Sequence, residues 1–515
     1  MENHSIKQFS VRHSAAIFLA LVTGFIMVAP QLFFMRSMGG AYRGIYIMKT
    51  DAETHYLARM KESSEGNGAG NPFISEFKEV PTASPQITES LLAFPSSVFG
   101  ISVSTLNLFY KALFPVLIFL LIYSFLLRLW GSRAWSLAGA SLILMGHQVM
   151  NFYELSTLIA GGGSEISLAM YSRAVHPAVS TMIWWVYMHC AWSFWTNRFR
   201  YASVAMALIL GFSFYIYLYL FTFILAMQGV LFLALLWRVE KKRAFEILFA
   251  TIGGTCIGIP ALLATAALMS HPLYAEFADI VGVAASRAYV VSSVGLLSVA
   301  AFFVALRLRG KSLVAGFIGV SLITSFVVVN QQIFTGFLLQ QGHYHWYFNI
   351  PIFIITLLWV LQQLLVRVPR YLQMSVVVIC IFFSITISSY GQVRAYQQTY
   401  DETAALQKYR PVLDWLQENT EPESVVMAND ELSAYIPIYT DNNVVWEPHA
   451  AYYLVSTERR TFRPEAILRK EVPSRLFDVD YIVWDETLAS FGQRDVLLPA
   501  TSLVRIGEFE IVRLD

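Results

Sequence analysis

Four residues near the start of the chain combine side chains that exchange protons and form hydrogen bonds. Asp51, Glu53, His55 and Tyr56 stand in the string Asp51-Ala-Glu53-Thr-His55-Tyr56, beyond the first apolar run. A carboxylate can take the proton of an incoming hydroxyl group, so Asp51 and Glu53 are candidate catalytic residues and His55 and Tyr56 candidate substrate ligands. Charge beside a membrane segment costs free energy, which marks such a cluster as a candidate functional site. The alternative is that Asp51 is a solvated residue just outside a membrane helix.

A second set of polar residues stands at the ends of later apolar runs. Arginine and histidine in such places suit an anionic phosphate head group, and nearby amides and imidazoles can hydrogen-bond a substrate. We take as candidate substrate ligands Arg173, His176, Arg287, Gln332, His343 and His345. The alternatives are that Arg173 pairs with Glu165 or caps a helix end, and that His176, before Pro177, only starts a helix.

The histidines raise the question of a metal. His343 and His345 are separated by one residue, and imidazole is a common metal ligand. A pair without a third ligand nearby favours the polar rim of a substrate cavity, so we predict no metal site at these two histidines. The three cysteines all lie within apolar runs, which predicts neither a disulfide framework nor a cysteine metal site: Cys190, Cys256 and Cys380.

Composition defines the elements that must position these residues. Hydrophobic residues make up 56% of the 515 residues and charged residues 14%, and the mean hydropathy is +0.54. Soluble domains carry about 25% charged residues. The apolar residues gather in runs of the length that crosses a bilayer, so we predict a polytopic α-helical membrane protein. The net charge of +1 argues against a nucleic-acid partner.

About eleven membrane helices are predicted from the length and apolarity of these runs. The first is too long for the core of a cleaved signal peptide and lacks a small-residue cleavage site, so it is a signal anchor. The predicted spans lie at 14–34, 108–129, 134–150, 177–196, 201–217, 219–237, 245–269, 291–308, 312–331, 347–366 and 372–391.

Basic residues define one consistent orientation. Every second short connection is basic, as the positive-inside rule requires. The amino terminus is therefore predicted on the cytoplasmic side and the carboxyl terminus outside, in a multi-pass bacterial inner membrane; a eukaryotic endoplasmic reticulum would give the same sidedness. The basic residues are Lys7, Arg12, Arg128, Arg133, Arg198, Arg200, Arg238, Lys241, Lys242, Arg243, Arg307, Arg309, Lys311, Arg367 and Arg370.

Two domains are predicted. Residues 1–392 form the transmembrane domain with a long outer loop, 35–107, and residues 393–515 form a small extracytoplasmic α/β domain. In the tail the charged residues increase and the apolar runs shorten to strand length. Its candidate elements are a helix at 404–419, strand-length runs at 424–428, 444–446 and 481–484, and a hairpin turning at Gly507.

This pattern resembles the C-type superfamily of integral membrane glycosyltransferases. The topology of the whole chain carries the resemblance, together with the string Thr50-Asp51-Ala-Glu53-Thr-His55-Tyr56, which looks like that superfamily's Asp-x-x-x-(Tyr/His) loop signature. The resemblance implies transfer of a hexosyl or pentosyl group from a polyprenyl-phosphate-linked donor to an envelope glycan, lipid or protein, with Asp51 as the base. Many members have two adjacent acidic residues, whereas Ala52 separates Asp51 from Glu53 here, which leaves a divalent cation open.

Arg173 and Arg287 are our candidates for stabilising the leaving phosphate. The alternatives are a lipid or glycan transporter or flippase, which would place ionisable residues at mid-membrane, and a non-catalytic envelope-assembly protein. In this sequence the ionisable residues gather at the ends of the apolar runs instead, which favours an enzyme.

Overall fold

The computed structural model describes residues 12–48, 53–68, 70–80, 82, 87–150, 168–309, 312–461, 477–490 and 500–514. The predicted base Asp51 lies outside these ranges, as does Glu165, the alternative partner of Arg173. The described chain is mostly helical with several long apolar helices, as predicted.

Fifteen helices of seven or more residues occur within the described ranges. They are α1 (Ser14–Met38), α2 (Glu53–Glu65), α3 (Ile87–Phe99), α4 (Val103–Trp130), α5 (Arg133–Met145), α6 (Ser180–Trp195), α7 (Ala202–Ser213), α8 (Leu218–Trp237), α9 (Lys241–Met269), α10 (Tyr274–Ile280), α11 (Ser293–Arg309), α12 (Leu313–Val329), α13 (Ile350–Leu365), α14 (Arg370–Leu406) and α15 (Arg410–Asn419). One-turn helices lie at Gln332–Thr335, Gln341–Tyr344, Asp430–Ser433, Ile436–Tyr439, Thr457–Thr461 and Glu486–Ala489.

A helix covers most of each predicted span. Within the described residues, six helical segments are long and apolar enough to cross a membrane: Ser14–Ala41, Val103–Trp130, Leu218–Trp237, Lys241–Met269, Gln341–Leu365 and Arg370–Asn419. The number of helices that cross, and their orientation, stay predictions. Local signals explain several boundaries: Gly131 ends α4 with a φ of 69°, a conformation that favours glycine, and Ser312 caps α12 by accepting from the Ala315 backbone N–H at 3.0 Å.

The chain forms two compact units. Unit 1 comprises residues 1–30, 109–262 and 283–397, and unit 2 comprises 31–108, 263–282 and 398–515. The predicted outer loop, 35–107, therefore belongs to the same compact unit as residues 398–515 of the predicted tail. Unit 1 also contains a pair of two-residue antiparallel strands, β1 (Ala284–Ala285) and β2 (Phe337–Leu338).

Unit 2 contains a five-stranded mixed sheet. Its strands are β3 (Val425–Met427), β4 (Asn443–Val444), β5 (Val479–Trp484), β6 (Ala500–Ile506) and β7 (Phe509–Leu514), in the order β4-β3-β5-β7-β6. The β3 strand is parallel to both neighbours, and β7 is antiparallel to both of its neighbours. Apolar residues of the strands form a buried core that includes Met427, Ile482 and Val512, and Val426, Val483 and Ile511 beside them in sequence are buried as well. The β6–β7 hairpin turns at Gly507, whose φ is 60°.

Candidate functional site

Glu53 is the first residue of α2 and lies in a buried hydrogen-bond network. Its side chain is 2% exposed, and Asn107 Nδ2 donates to its Oε1 at 2.8 Å. The same amide nitrogen contacts Tyr46 Oη at 2.9 Å. Burial, and next the charge of Glu53, raise the pKa of Tyr46 well above its usual value, so its hydroxyl stays protonated. Glu53 is thus held rigidly at the start of the helix that follows Asp51 in the chain, where an anion also suits the helix dipole.

His55 lies among aromatic rings in unit 2. It is 7% exposed, and its Nδ1 has no hydrogen-bond partner among the residues that the structure describes. Burial, followed by the charges of Arg59 and His449, lowers the pKa of His55 well below its usual value. It is therefore neutral at neutral pH, able to hydrogen-bond a polar group but not to act as a cation. The ring centroids of five residues lie 5.4 to 6.1 Å from its own: Tyr56, Phe73, His449, Tyr452 and Tyr453.

A carboxylate–imidazole pair, Glu447 and His449, adjoins His55 and was not found from the sequence. Glu447 is 1% exposed and accepts from the backbone N–H of His449 at 2.6 Å and contacts His449 Nδ1 at 2.7 Å. A buried carboxylate in this position fixes the orientation of the imidazole. The local signal was the short run Trp446-Glu447-Pro448-His449, in which proline starts a helical turn and the glutamate caps it.

A buried ion pair joins α2 to α3. Arg59 Nε lies 3.1 Å from Glu89 Oε1, and the two side chains are 2% and 0% exposed. Burial opposes the charge of Arg59, but Glu89 and then Tyr453 and Tyr56 raise its pKa overall. Burial raises the pKa of Glu89, although Arg59 opposes that shift. The pair was missed from the sequence because its partners are 30 positions apart in a segment predicted as a loop.

Arg173 belongs to a separate cluster in unit 1. Its Nη2 donates to Tyr347 Oη at 3.0 Å, and its Nε donates to the His176 carbonyl oxygen. His176 is buried and stacks on Tyr217, with ring centroids 4.6 Å apart. Arg173 as a whole is half-buried.

His343 completes this cluster, which we call the Arg173–His343 cluster. It comprises Arg173, His176, Tyr217, Tyr219, His343 and Tyr347. The Tyr217 hydroxyl is hydrogen-bonded to His343 Nδ1. The His343 ring lies 4.4 Å from Tyr219 and 5.5 Å from Tyr347. Two predicted ligands widely separated in the chain, Arg173 and His343, are therefore linked through Tyr347.

The other predicted residues of unit 1 have different surroundings. Arg287 is exposed and donates from Nη1 to the Ile333 carbonyl oxygen at 2.6 Å, and Gln332 is buried and donates to the Ala288 carbonyl oxygen at 2.8 Å. His345 lies against Trp346 and Phe353, with ring centroids 5.1 and 6.5 Å away. His343 and His345 thus contact different residues. Across the described ranges, no group of three or more His, Cys, Asp or Glu side chains could hold a metal ion.

An apolar groove of about 380 Å³ runs along unit 1. Its walls come from α11 and α12, and one end reaches Asn330 and Phe334, close in sequence to Gln332 and Ile333. Its apolar lining suits a hydrocarbon chain. The wall residues are Val299, Phe302, Phe303, Gly319, Leu322, Ile323, Phe326 and Val327.

The fold of this chain is similar to that of solved ArnT structures, which agrees with the predicted resemblance at the level of the fold. The chain is similar to ArnT from Cupriavidus metallidurans bound to undecaprenyl phosphate, with a TM-score of 0.59, 12% identity and 98% of each chain covered. ArnT from the same organism in the apo state gives a TM-score of 0.50 at 13% identity, covering 94% of this chain and 97% of ArnT. The apo oligosaccharyltransferase of Archaeoglobus fulgidus gives 0.42 at 11% identity, covering 94% of this chain and 72% of that one. No family model matches the sequence, and no curated protein matches it.

Proposed function

We propose that this protein is a membrane glycosyltransferase that moves a hexosyl or pentosyl group from a polyprenyl-phosphate donor to a cell-envelope acceptor on the outer face of the membrane. The observation that carries the proposal is the Arg173–His343 cluster. It gathers a cation, imidazoles and tyrosine hydroxyls on a bundle whose fold is shared with an ArnT structure bound to undecaprenyl phosphate.

The chemistry of unit 1 suits both parts of such a donor. A phosphate needs a cation and hydrogen-bond donors, which a guanidinium and tyrosine hydroxyls supply. The polyprenyl chain needs an apolar surface, which the groove along α11 and α12 supplies. Arg287, which bonds the carbonyl of Ile333 near one end of that groove, is a second candidate for the phosphate.

The residues at and after Asp51 in the sequence suit the proposed acceptor. By the resemblance, Asp51 is the general base. Glu53, two positions later in the sequence, is held in place by a hydrogen bond from Asn107. The neutral imidazole of His55 and the hydroxyl of Tyr56 suit a sugar or another polyhydroxyl acceptor, because both can hydrogen-bond without adding charge.

The proposed reaction is a direct displacement at the anomeric carbon of the donor sugar. The acceptor oxygen forms a bond to that carbon while the bond to the phosphate oxygen breaks. The proton of the acceptor hydroxyl passes to the Asp51 carboxylate, and the polyprenyl phosphate leaves with the bonding electron pair. Negative charge develops on the departing phosphate, so a fixed cation such as Arg173 lowers the barrier without supplying a proton.

The first test is the envelope glycan mass of a deletion strain. Wild type is expected to restore a missing sugar increment, whereas Asp51→Asn, at equal membrane levels, is not, because an amide cannot accept the proton. The control is Asp414→Asn, which changes an exposed carboxylate on α15. If wild type and Asp51→Asn restore the increment equally, Asp51 is not the base. A transporter or a non-catalytic envelope-assembly protein would then be the favoured function.

The second test is a donor titration of the Arg173→Ala variant. Loss of a hydrogen bond to a charged group weakens binding by about 1.5–3 kcal/mol, so the apparent donor KM should rise about tenfold to a hundredfold. Arg198→Ala, which removes an exposed arginine from the connection between α6 and α7, is the matched control. An unchanged donor KM in Arg173→Ala would show that Arg173 does not bind the phosphate.

A further inference from the structure

Basic residues gather at the junction of two apolar helices of unit 1. Helix α8 ends at Trp237 and α9 begins at Lys241, and both helices are long and apolar enough to cross a membrane. With both helices across the membrane, the junction lies at the depth of the lipid head groups. The helix from Tyr219, in the Arg173–His343 cluster, to Trp237 rises about 27 Å, so the junction is remote from that cluster. Its basic residues are Arg238, Lys241, Lys242 and Arg243.

The two arginines of the junction are held in place by contacts within the protein. Glu240 pairs with both of them, and Arg238 Nη2 lies 2.9 Å from Glu240 Oε1. Arg238 Cζ lies 4.6 Å from the centroid of the Trp195 ring, and Arg243 donates to the Phe194 carbonyl oxygen. These contacts tie the junction to the end of α6, so its geometry is fixed before any ligand binds.

The two lysines begin a helix that carries exposed aromatic rings. Lys241 and Lys242 are both exposed, and Phe245 and Phe249, further along α9, are 50% and 68% exposed. At about 100° per residue, these four side chains lie within about 100° of one another around the helix axis. The exposed carboxylate of Glu246 lies about 40° beyond Lys242 and opposes an anion there. Cations followed by an apolar stripe match a phospholipid, whose charged head group is joined to apolar chains.

The end of α8 and the charge of the junction define the class of ligand. Trp237 is 90% exposed, and tryptophan at the end of a membrane helix is typical of the head-group level. Four basic and two acidic residues leave a net charge of +2 over residues 237–246, a sign that attracts anionic head groups. A nucleic acid would require a larger basic surface. The positive-inside rule accounts for the sign of this charge, but not for the fixed arginines or for the aromatic stripe beside the lysines.

We propose that the α8–α9 junction binds an anionic phospholipid, with its phosphate at Lys241 and Lys242 and an acyl chain along Phe245 and Phe249. The lipid belongs to the leaflet on the side of the basic connections, opposite the leaflet of the proposed sugar donor. This inference does not depend on the proposed transferase activity.

The test is native mass spectrometry of the full chain titrated with phosphatidylglycerol and, in parallel, with phosphatidylcholine. One lysine near the surface strengthens binding of an anionic lipid about fivefold. Lys241→Gln with Lys242→Gln should therefore weaken phosphatidylglycerol binding about thirtyfold and leave phosphatidylcholine binding unchanged. The matched control is Arg367→Gln with Arg370→Gln, which removes two exposed cations from the connection between α13 and α14.

Removal of the opposing carboxylate provides a gain of binding that a folding defect cannot imitate. Glu246→Gln should tighten phosphatidylglycerol binding about fivefold. The proposal is overturned if the lysine variant binds phosphatidylglycerol as wild type does, or if the control variant loses as much affinity, because the charge would then act diffusely. An equal loss of phosphatidylcholine binding would show that the junction does not recognise head-group charge. A wild-type protein that binds both lipids equally would also refute the site and would favour a protein partner.

Discussion

Removing the charge of Glu89 tests whether the buried ion pair holds α2 against α3. With Arg59 Nε 3.1 Å from Glu89 Oε1, Coulomb's law at an effective dielectric constant of about 20 gives an attraction of about 5 kcal/mol. Glu89→Gln keeps the shape of the side chain but leaves the guanidinium buried without a counter-charge. Breaking a buried pair in this way costs about 3–5 kcal/mol.

The assay is backbone hydrogen exchange followed by mass spectrometry of peptides from α2 and α3. The loss in local stability should speed exchange about 10²- to 4 × 10³-fold in both helices. The matched control is Asp414→Asn, which breaks the exposed pair between Asp414 and Arg410 on α15, where Nε and Oδ1 are 2.7 Å apart. An exposed pair contributes at most about 1 kcal/mol, so exchange there should change by less than about fivefold.

A double variant, Arg59→Met with Glu89→Leu, separates charge from packing. Replacing a buried ion pair by apolar side chains of similar volume is often neutral or stabilising, so exchange should return to about the wild-type rate. If Glu89→Gln exchanges like wild type, Glu89 is already protonated in the folded protein and the charge argument is refuted. If α2 and α3 exchange as fast in the double variant as in Glu89→Gln, the uncompensated charge of Arg59 is not the cause of the faster exchange.

Two further substitutions test the site and the surroundings of α2. Tyr347→Phe removes the hydroxyl that accepts from Arg173, so the donor KM should rise about tenfold, while Tyr344→Phe, which loses a bond to Thr222 instead, should leave it unchanged; equal effects would contradict a specific role of the Arg173 contact. Burial and a hydrogen bond to Asp441 raise the pKa of Glu65 from 4.5 to about 7. A carboxyl group whose pKa is raised by folding stabilises the folded protein at pH values below its unfolded-state pKa. This stabilisation is lost as the pH rises through about 7. It amounts to about 1 kcal/mol once the partial exposure of Glu65 is allowed for. Glu65→Gln should therefore flatten the melting temperature between about pH 5 and pH 8, and an unchanged pH profile would contradict this reasoning.

The fold was largely predictable where one local signal dominates. Apolar runs of membrane length became helices, and strand-length apolar runs in the tail became β3 and β5. The end of α14 was not predicted, because the helix continues past the apolar run to Leu406. No glycine or proline interrupts residues 392–406, and most of these residues are good helix formers, so nothing local ends the helix there.

The site was predictable as a set of residue types but not as a set of contacts. Arg173 and His343 were chosen separately for their chemistry, and only the folded chain links them through Tyr347. The pairs Arg59–Glu89 and Glu447–His449 were missed altogether. Their significance arises from burial, which a charge pattern along the sequence does not reveal: in water each pair would contribute little, whereas buried carboxylates require a partner.

The location of the charges favours the proposed transfer reaction over the transport alternative. Helices α8, α12 and α13 contain no Asp, Glu, Lys or Arg, so a phosphate passing along them would meet no counter-charge in the apolar interior. Arg173 and His343 instead stand beside helix ends, where a cation keeps part of its hydration and costs less to hold. A transferase needs positive charge only where the phosphate departs, since the lipid chain never leaves its leaflet. Charged residues therefore stand at helix ends and are absent from the interiors of α8, α12 and α13. A reaction at the membrane surface requires this distribution, whereas a lipid flippase does not.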